Sequence, residues 1–350
     1  MRIAVLAPPA VPVPPPGYGG TESVVHTLVC GLADAGHDVL LVASGDSTSP
    51  VPTTACFEEA VGMEGVNATI ELAHAAYGCE EAERWGADIL HDHTLVGAVY
   101  AIGCSRLPVV TTNHGPFQPS VLGRLHRAVS RRVGLIAISH HQASTAPAGT
   151  RIDAVVHHGI DLGTMPMGAG GGGFALFLGR MSPSKGIDRA IRIARLAGMP
   201  LVIAAKMRES AEQAYFDEVI RPLLGPGVEF VGEVGGDEKL ALLGRADVLL
   251  NPIEWDEPFG MVMLEALAAG TPVVAAARGS VPEIVDDGVT GYVRNTDEEL
   301  AATLADVGSL DRRACRRQAE LRFSAERMVR GHLEVYRRLA TPQMTQVAGG

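Results

Sequence analysis

Short runs of aliphatic and β-branched residues alternate with helical patterns along this chain, and the alternation occurs in two series. The first series has such runs at residues 2–7, 38–43, 88–90, 108–112, 134–138 and 153–157. The second has them at residues 174–178, 201–205, 228–231, 247–250, 272–276 and 291–293. Because the runs lack polar alternation, they are typical of parallel strands that helices cover on both faces. The pattern therefore predicts an α/β fold with two doubly wound parallel sheets.

The two series are separated by the stretch GTMPMGAGGGG, residues 163–173, which has four consecutive glycines and no apolar period. Such a composition indicates a flexible connection. We place an N-terminal Rossmann-like domain at residues 1–163, a glycine-rich linker at 164–173 and a second Rossmann-like domain at 174–322. Residues 323–341 carry apolar residues at helical spacing, and we expect a helix there that packs back on the first domain. The two domains would face each other across a cleft at the carboxyl ends of their strands.

The net charge of −11 argues against a nucleic-acid or anionic-membrane partner, because such partners require a dense basic patch. No window reaches the roughly 18 apolar residues that a membrane span needs, and residues 2–7 run into prolines instead of a cleavage site. We therefore expect a cytoplasmic protein. The five cysteines have neither disulfide-framework nor metal-binding spacing, and we interpret them as small buried residues.

The segment NPIEWDEPFGMVMLEALAAG, residues 251–270, joins the end of a strand to a helix that begins near Gly260. The start of a helix carries unpaired backbone N–H groups and the positive end of the helix dipole, which suits a diphosphate. Glu257 lies in the preceding loop and Glu265 lies within the helix, so the first could face a sugar and the second ribose hydroxyls. The alternative is that both are solvated carboxylates near a helix end.

The segment GRMSPSKG, residues 179–186, directly follows a predicted strand. The Arg180 guanidinium can donate two parallel hydrogen bonds to phosphate oxygens, and Lys185 supplies a compact positive charge. The chain has only three lysines among its 29 basic residues, so a lysine in this loop is less expected by chance. These residues predict a phosphate site, with a solvated surface pair as the alternative.

Two segments of the first series also follow predicted strands. In PGYGGTE, residues 16–22, Gly19 and Gly20 would let the backbone close over a diphosphate from the opposite side of the cleft, although an ordinary loop-to-helix turn has the same composition. In TTNHGPF, residues 111–117, His114 comes just after a strand and is expected at the cleft edge. The alternative for His114 is a loop histidine without a role.

FLGRMSPSKG, followed about 70 residues later by EPFGMVMLEALAAGTPVV, closely resembles the retaining glycosyltransferases of family 4, which have the GT-B fold. Glu257 and Glu265 match the E-x7-E element of that family, and the resemblance spans nearly all of residues 1–340. It implies a GT-B enzyme that transfers a hexose-type sugar from a nucleotide-diphosphate sugar to an acceptor hydroxyl.

The resemblance also implies roles for individual residues. The donor diphosphate would be bound by Gly19, Gly20, Arg180, Lys185, Gly260, Met261 and Val262. The transferred sugar would be contacted by His114, Glu257, Phe259 and Gly260, with His114 and Glu257 as the catalytic residues. Glu265 would hold the ribose, and the base would lie against Gly232, Glu233 and Val234. No metal or other cofactor is expected, since the nucleotide sugar is a substrate and this fold needs no metal bound by a DxD motif.

The segment DILHDHT, residues 88–94, contains two histidines and a carboxylate, which are common metal ligands. No further well-spaced cluster supports a metal site, and Asp92 is interpreted instead as a candidate contact to the acceptor.

Three further segments follow strands. Lys206 could contact a phosphate or be an ordinary surface lysine, and residues 280–283 are either structural or close to the donor. The segment HHGID, residues 157–161, resembles the end of the first domain in the same family and is given no chemistry.

The chemistry leaves alternatives open. Glu257 is either a nucleophile or, as we favour, an orienting group, in which case the leaving phosphate takes the acceptor proton on the same face. A UDP sugar is favoured over a GDP sugar, and the acceptor and the oligomeric state do not follow from the sequence. The competing functions are a nucleotide-sugar epimerase, a sugar phosphorylase and a non-catalytic nucleotide-sugar binding module. A nicotinamide-dependent dehydrogenase is disfavoured because no strand is followed by GxGxxG.

Overall fold

The first of two parallel sheets is built from the N-terminal half of the chain, in a computed structural model that describes residues 1–94, 96–118 and 120–340. Its strands are β1 (Arg2–Leu6), β2 (Asp38–Ala43), β3 (Thr53–Ala55), β4 (Ile89–Asp92), β5 (Val109–Thr112), β6 (Gly134–Ala137) and β7 (Ala154–Val155). Its helices are α1 (Gly20–Asp34), α2 (Ala68–Trp85), α3 (Gly97–Cys104), α4 (Ser120–Val129) and α5 (His140–Ser144). The strand order is β3-β2-β1-β4-β5-β6-β7.

The second sheet has the order β10-β9-β8-β11-β12-β13 and is also parallel throughout. Its strands are β8 (Ala175–Arg180), β9 (Leu201–Lys206), β10 (Val228–Gly232), β11 (Val248–Asn251), β12 (Val273–Ala276) and β13 (Gly291–Arg294). The remaining helices are α6 (Ile187–Ala197), α7 (Ser210–Tyr215), α8 (Gly236–Arg245), α9 (Met261–Ala268), α10 (Val281–Ile284), α11 (Asp297–Leu304), α12 (Arg312–Phe323) and α13 (Ala325–Ala340). In both sheets the strand order reverses beside the first strand, which opens a crevice at the carboxyl ends.

All twelve strands predicted from apolar runs are present, and their bounds differ by at most two residues. The runs are buried because helices cover both faces of each sheet; every residue from Ile3 to Leu6, for example, has no exposed surface. Strand β3 was not predicted. Its sequence TTA is short and polar, and it lies at the sheet edge, where no apolar run is required.

The glycine-rich stretch is not the free connection that its composition predicts. Its backbone N–H groups donate hydrogen bonds to the second domain from Gly168, Gly170, Gly171, Gly172 and Gly173. A Cβ atom on Gly168 would lie 2.1 Å from the Cα atom of Gly244, so glycine is required there for close packing. The prediction of flexibility was wrong because glycines also serve where two backbones touch, and composition alone does not distinguish the two uses.

The chain crosses between the sheets at two adjacent places. The Ile160 N–H donates to the Phe323 carbonyl over 2.9 Å, and the Ala325 N–H donates to the Ile160 carbonyl over 3.0 Å. Helix α13 then packs against α1 and β5, with Val329 and the fully buried Tyr336 in the core of the first sheet. The predicted end of this helix at residue 341 lies outside the described residues.

The cysteines divide into two classes. Cys79 and Cys315 are buried, as expected, whereas Cys30 and Cys56 are only partly buried, and the side chain of Cys104 lies outside the described residues. Burial of all five was therefore an overstatement. Among the helices described, none is long and apolar enough to cross a membrane.

Candidate active site

A cavity of about 730 Å³ lies between the carboxyl ends of the two sheets. The predicted site residues that line it are Gly19, Gly20, His114, Arg180, Lys185, Glu233, Val234, Glu257, Phe259, Gly260, Met261, Val262 and Glu265. Of the residues predicted to bind the donor diphosphate, sugar, ribose or base, Gly232 alone does not line it. Positions distant in sequence are therefore brought to one cleft, because each follows a strand and the carboxyl ends of both sheets open onto it.

Helix α9 begins at the floor of this cavity. Its N-cap, Gly260, has a φ angle of +95°, which favours glycine, and a Cβ atom there would lie 2.5 Å from the Met263 methyl carbon. No side chain caps the helix, so the N–H groups of Met261 and Val262, two residues that line the cavity, have no capping side-chain oxygen. These N–H groups and the helix dipole form a place for an anion.

Lys185 and Glu257 form an ion pair in the cavity wall. The Lys185 ammonium donates to Glu257 Oε2, and the Trp255 indole N–H donates to the same oxygen over 3.1 Å. The ammonium also lies 5.4 Å from the centre of the Trp255 ring. The predicted phosphate ligand and the predicted sugar ligand thus contact each other directly.

A second ion pair joins helices α8 and α9. The Lys239 ammonium donates to Glu265 Oε1 over 2.9 Å, and both side chains line the cavity. Sequence reasoning did not select Lys239. The rarity of lysine in this chain was the available signal, and all three lysines line this cavity.

Lys206 is 6% exposed and donates to Glu209 and, over 3.2 Å, to Glu212. It is therefore neither a surface lysine nor a free phosphate ligand. The same Glu212 carboxylate lies 3.7 Å from the Arg180 Nε atom, so Glu212 pairs with both Lys206 and Arg180.

Glu233 connects the two domains at the mouth of the cleft. Its carboxylate accepts two hydrogen bonds from the Arg208 guanidinium, over 2.8 and 2.7 Å, and one from the Tyr18 backbone N–H over 2.9 Å. The glycine loop of the first domain is thereby attached to the loop after β10, which is the loop predicted to lie against a nucleotide base.

His114 lies at the first-domain wall and is backed by other histidines. Its Nε2 atom is 2.8 Å from Nδ1 of the buried His93, and its ring stacks on His158 with 5.1 Å between the ring centres. Burial lowers the pKa of His114 to about 3, so the ring is neutral near pH 7. His158 belongs to the segment HHGID, to which the sequence analysis gave no chemistry. Its contact with His114 was not predicted because it depends on the fold.

Asp92 does not face the cleft, so its interpretation as an acceptor contact is wrong. The carboxylate is fully buried and accepts hydrogen bonds from Thr94, Ala98 and Thr111. Burial raises its pKa to about 6, although these hydrogen bonds oppose the shift. Asp92 therefore holds the start of helix α3 inside the first domain. A carboxylate at the end of a strand can accept hydrogen bonds from the protein's own N–H groups instead of from a ligand.

Glu283 connects the domains on the far side of the cleft. It accepts hydrogen bonds from the backbone N–H groups of His140 and His141, over 2.8 and 2.6 Å, and from His157 Nε2 over 2.9 Å. Burial opposes its charge, but the hydrogen bonds from His157, His141 and His140 outweigh burial and lower its pKa to about 2. His140, His157 and Glu283 are spaced for a metal ion, yet the Glu283 carboxylate already accepts three hydrogen bonds that join the two domains, which makes Glu283 a structural contact.

Glu22 is a cavity residue that sequence reasoning passed over. It follows the glycine loop, is only 6% exposed, and lines the cavity. Burial raises its pKa to about 7. The motif PGYGGTE contained it, but a single acidic residue at the start of a helix is also a common helix-stabilising feature.

Comparisons with known proteins agree with this geometry. Residues 18–164 match the family Glycosyltransferase Family 4, and residues 169–322 match Glycosyl transferases group 1. The chain is 30% identical to a glycogen synthase of Mycobacterium tuberculosis, over 87% of this chain and 86% of the relative.

Solved structures show the same architecture. AviGT4, a glycosyltransferase involved in avilamycin A biosynthesis, is 30% identical with a TM-score of 0.71, covering 97% of this chain and 98% of AviGT4. HepE of Anabaena, solved in complex with UDP and glucose, has a TM-score of 0.77 at 22% identity, covering 97% of this chain and 100% of HepE. This protein is a glycosyltransferase of family 4 with the GT-B fold.

Proposed function

We propose that this glycosyltransferase takes a hexose-type sugar from a UDP sugar and transfers it with retention of configuration. The observation that carries the proposal is the meeting, in one cavity, of the uncapped start of α9 with the ion pairs Lys185–Glu257 and Lys239–Glu265. A nucleotide sugar carries a diphosphate flanked by two sets of hydroxyls, and this cavity offers a site for the anion flanked by two carboxylates. The complex of HepE with UDP and glucose supports the choice of UDP.

The two ion pairs explain how the cavity would accept the donor. An incoming diphosphate attracts the Lys185 ammonium and leaves Glu257 free to accept hydrogen bonds from hydroxyls of the transferred sugar. Lys239 and Glu265 would divide in the same way, with Glu265 accepting from the ribose. Each charge-assisted hydrogen bond contributes about 1.5 to 3 kcal/mol, so exchange of partners is feasible without burying an unpaired charge.

Charge on the leaving diphosphate would be stabilised by protein groups. As the bond between the anomeric carbon and the phosphate oxygen breaks, negative charge grows on that oxygen, beside Arg180, Lys185 and the N–H groups at the start of α9. Because these groups are in position before the reaction, little reorganisation is needed. We propose that the enzyme requires no metal ion.

Glu257 acts in this proposal as an orienting group and not as a nucleophile. Its carboxylate accepts a hydrogen bond from the Trp255 indole N–H and, once Lys185 has moved to the diphosphate, would accept others from the sugar hydroxyls; such bonds stabilise the charge that a nucleophile must donate. The acceptor oxygen would form its bond to the anomeric carbon on the face that the phosphate leaves, and the acceptor proton would pass to the leaving phosphate oxygen. This route retains the configuration.

A thermal-shift screen of UDP, GDP and their sugars tests the donor. UDP sugars are expected to raise the melting temperature of the wild type, because a ligand that binds only the folded state stabilises it, and to raise that of Lys185→Ala much less. Arg221→Ala, an exposed basic residue on the second domain, is the control and should respond like the wild type. A larger shift with GDP sugars would contradict the choice of UDP.

Turnover assays separate the competing functions. Donor turnover that yields an epimerised nucleotide sugar would favour an epimerase, and strict dependence on inorganic phosphate would favour a phosphorylase. Binding without any turnover, in the presence of candidate acceptors, would favour a binding module.

A further inference from the structure

Two loops of the first domain bring a group of apolar side chains to the cavity. One loop follows β1 and the other lies between β3 and α2, and we name the group the apolar patch: Ala10, Val11, Pro12, Val61 and Met63. The Met63 side chain is 56% exposed although it lies in a cleft. Ligand cavities are lined largely by apolar side chains, and a cluster of exposed ones in a cleft marks a surface that a ligand covers.

The apolar patch is held in place by hydrogen bonds between its two loops. The Val61 N–H donates to the Pro9 carbonyl over 3.0 Å, and the Gly62 N–H donates to the Ala10 carbonyl over 3.1 Å. These backbone groups are already paired, so they do not compete for a ligand. The two loops therefore form one surface before any ligand arrives.

Charge is divided unequally between the two sides of the cavity. Every lysine and arginine that lines it comes from the second domain: Arg180, Lys185, Lys206, Arg208 and Lys239. Each of the five is paired with a carboxylate of its own domain. The described residues of the first domain contribute no lysine or arginine to the cavity, and the residues outside the described ranges include neither type.

The first domain instead contributes two carboxyl groups to the cavity, those of the buried Glu22 and the exposed Glu64. In the proposed function, Arg180, Lys185 and Lys239 are drawn to the diphosphate of the donor. A phosphate or carboxylate on the acceptor would then find no unpaired cation among the described residues of the cavity, and it would be repelled by the two carboxyl groups. An anion that loses water without gaining a partner binds poorly.

We propose that the acceptor is a soluble alcohol whose surface beside the reacting hydroxyl is apolar and which carries no anionic group. The inference rests on the proposed function, in which an acceptor hydroxyl enters the cleft beside the donor. The apolar patch binds the acceptor by removing apolar surface from water, and the two carboxyl groups select against phosphorylated alcohols. The acceptor is a soluble compound and not a membrane lipid, since the net charge of −11 opposes approach to an anionic bilayer.

Saturation-transfer NMR with alcohols of equal chain length tests the apolar patch without turnover. The probes are 1-hexanol and 6-hydroxyhexanoate, each titrated into enzyme that is saturated with UDP, so that the cations of the donor site are occupied. We expect the dissociation constant of 1-hexanol to be at least about tenfold lower, because only the carboxylate must leave water without a partner. Equal or tighter binding of 6-hydroxyhexanoate would overturn the proposal.

Met63→Ser tests whether the probe binds at the apolar patch. Folding does not depend on a side chain that is more than half exposed, and 1-hexanol should bind about fourfold more weakly, the equivalent of one methylene left in water. The matched control is Met167→Ser, because Met167 is 45% exposed and does not line the cavity. The control should bind 1-hexanol like the wild type, and an equal loss in both variants would contradict the location.

Product analysis tests the acceptor rule during turnover. The wild type receives a UDP sugar with methanol, 1-hexanol or 6-hydroxyhexyl phosphate at equal concentration. In each case the alcohol oxygen replaces the phosphate oxygen at the anomeric carbon, and the alcohol proton leaves with UDP. The hexyl product should exceed the methyl product by about tenfold or more, and the phosphorylated alcohol should give the least product.

Two results of this assay would overturn the acceptor rule. One is equal transfer to methanol and 1-hexanol, which would mean that apolar surface is not recognised. The other is transfer to 1-dodecanol only when it is embedded in phosphatidylglycerol vesicles, which would mean that the acceptor is a membrane lipid.

Failure of the proposed function has a different signature. If the enzyme transferred sugar neither to an alcohol nor to water, the proposed transfer would be wrong, whereas the preference for 1-hexanol and its loss in Met63→Ser would still be measured by NMR. If sugar were transferred preferentially to the phosphorylated alcohol, the proposed function would stand and the acceptor rule would be wrong.

Discussion

The two walls of the cleft present different kinds of chemical group to a ligand. The second-domain wall consists of ion pairs, Lys185–Glu257 and Lys239–Glu265, whose members can exchange partners when a diphosphate arrives. The first-domain wall presents glycine backbone, the buried carboxyl of Glu22, whose pKa burial raises to about 7, and His114, a neutral ring held by other neutral rings. The comparison indicates that charge is concentrated where an anion is bound and departs, whereas fixed neutral hydrogen-bonding groups lie where hydroxyls are recognised.

The largest effect is expected from Glu257→Gln. The amide carries no negative charge, so its hydrogen bonds to the sugar hydroxyls are weaker. The rate of transfer should fall at least about a hundredfold, because Glu257 is proposed to act on the transferred sugar in the transition state. UDP binding should be retained. Steady-state kinetics and calorimetry measure the two quantities, and Glu254→Gln, an exposed neighbour, is the control. A parallel loss of UDP binding would place Glu257 at the diphosphate instead.

Lys185→Ala should weaken UDP binding about tenfold or more, since the substitution removes one charge-assisted hydrogen bond to the diphosphate. Calorimetry measures the dissociation constant. The loss should be smaller at high salt, because salt screens the attraction between Lys185 and the diphosphate that the wild type has and the variant lacks. Unchanged UDP binding would contradict the assignment of Lys185 to the phosphate site. It would also weaken the contrast between a charged second-domain wall and a mostly neutral first-domain wall.

Glu265→Ala is expected to weaken UDP binding about tenfold by removing the acceptor for the ribose hydroxyls. Comparing UDP with its 2′,3′-dideoxy analogue sharpens the prediction, because the analogue should bind the wild type and Glu265→Ala with similar affinity. A double-mutant cycle with Lys239→Ala reports how strongly the pair is coupled in the complex. Equal loss for both ligands in Glu265→Ala would mean that Glu265 acts on Lys239 and not on ribose.

The smallest effect concerns Glu283, which joins the domains away from the cleft. Its pKa falls from 4.5 to about 2 on folding, so its contribution to stability is present above pH 4.5 and is lost as the pH falls toward 2. At neutral pH, Glu283→Gln should lose about 1 kcal/mol of unfolding free energy, the net value of one hydrogen bond. Urea unfolding at several pH values should show that difference shrinking below pH 4.5; a constant difference would contradict the assignment.

The sequence predicts the second-domain wall better than the first. Its four predicted side chains belong to continuous segments that follow strands: Arg180, Lys185, Glu257 and Glu265. The local sequence pattern was therefore enough to predict that they line one cleft. Lys239 was missed because it becomes a site residue only through its contact with Glu265 across two helices.

The first-domain wall depends on contacts between distant parts of the chain. Tyr336 and His91 are separated by 245 positions, and no local pattern predicts that they form a hydrogen bond. Composition was misleading in a similar way at the glycine-rich stretch. Its glycines allow close packing against Gly244, and the same composition is typical of a flexible linker. Strands were predicted well because burial on both faces leaves a local apolar signal.

The central claim is that this cleft transfers a sugar from a UDP donor with retention. The most direct test is ¹H NMR of the product during the first minutes of turnover, using the UDP sugar that gives the largest thermal shift and following slow transfer to water where no acceptor is known. The account predicts that the first anomer released has the configuration of the sugar in the donor. Release of the opposite anomer first would contradict it.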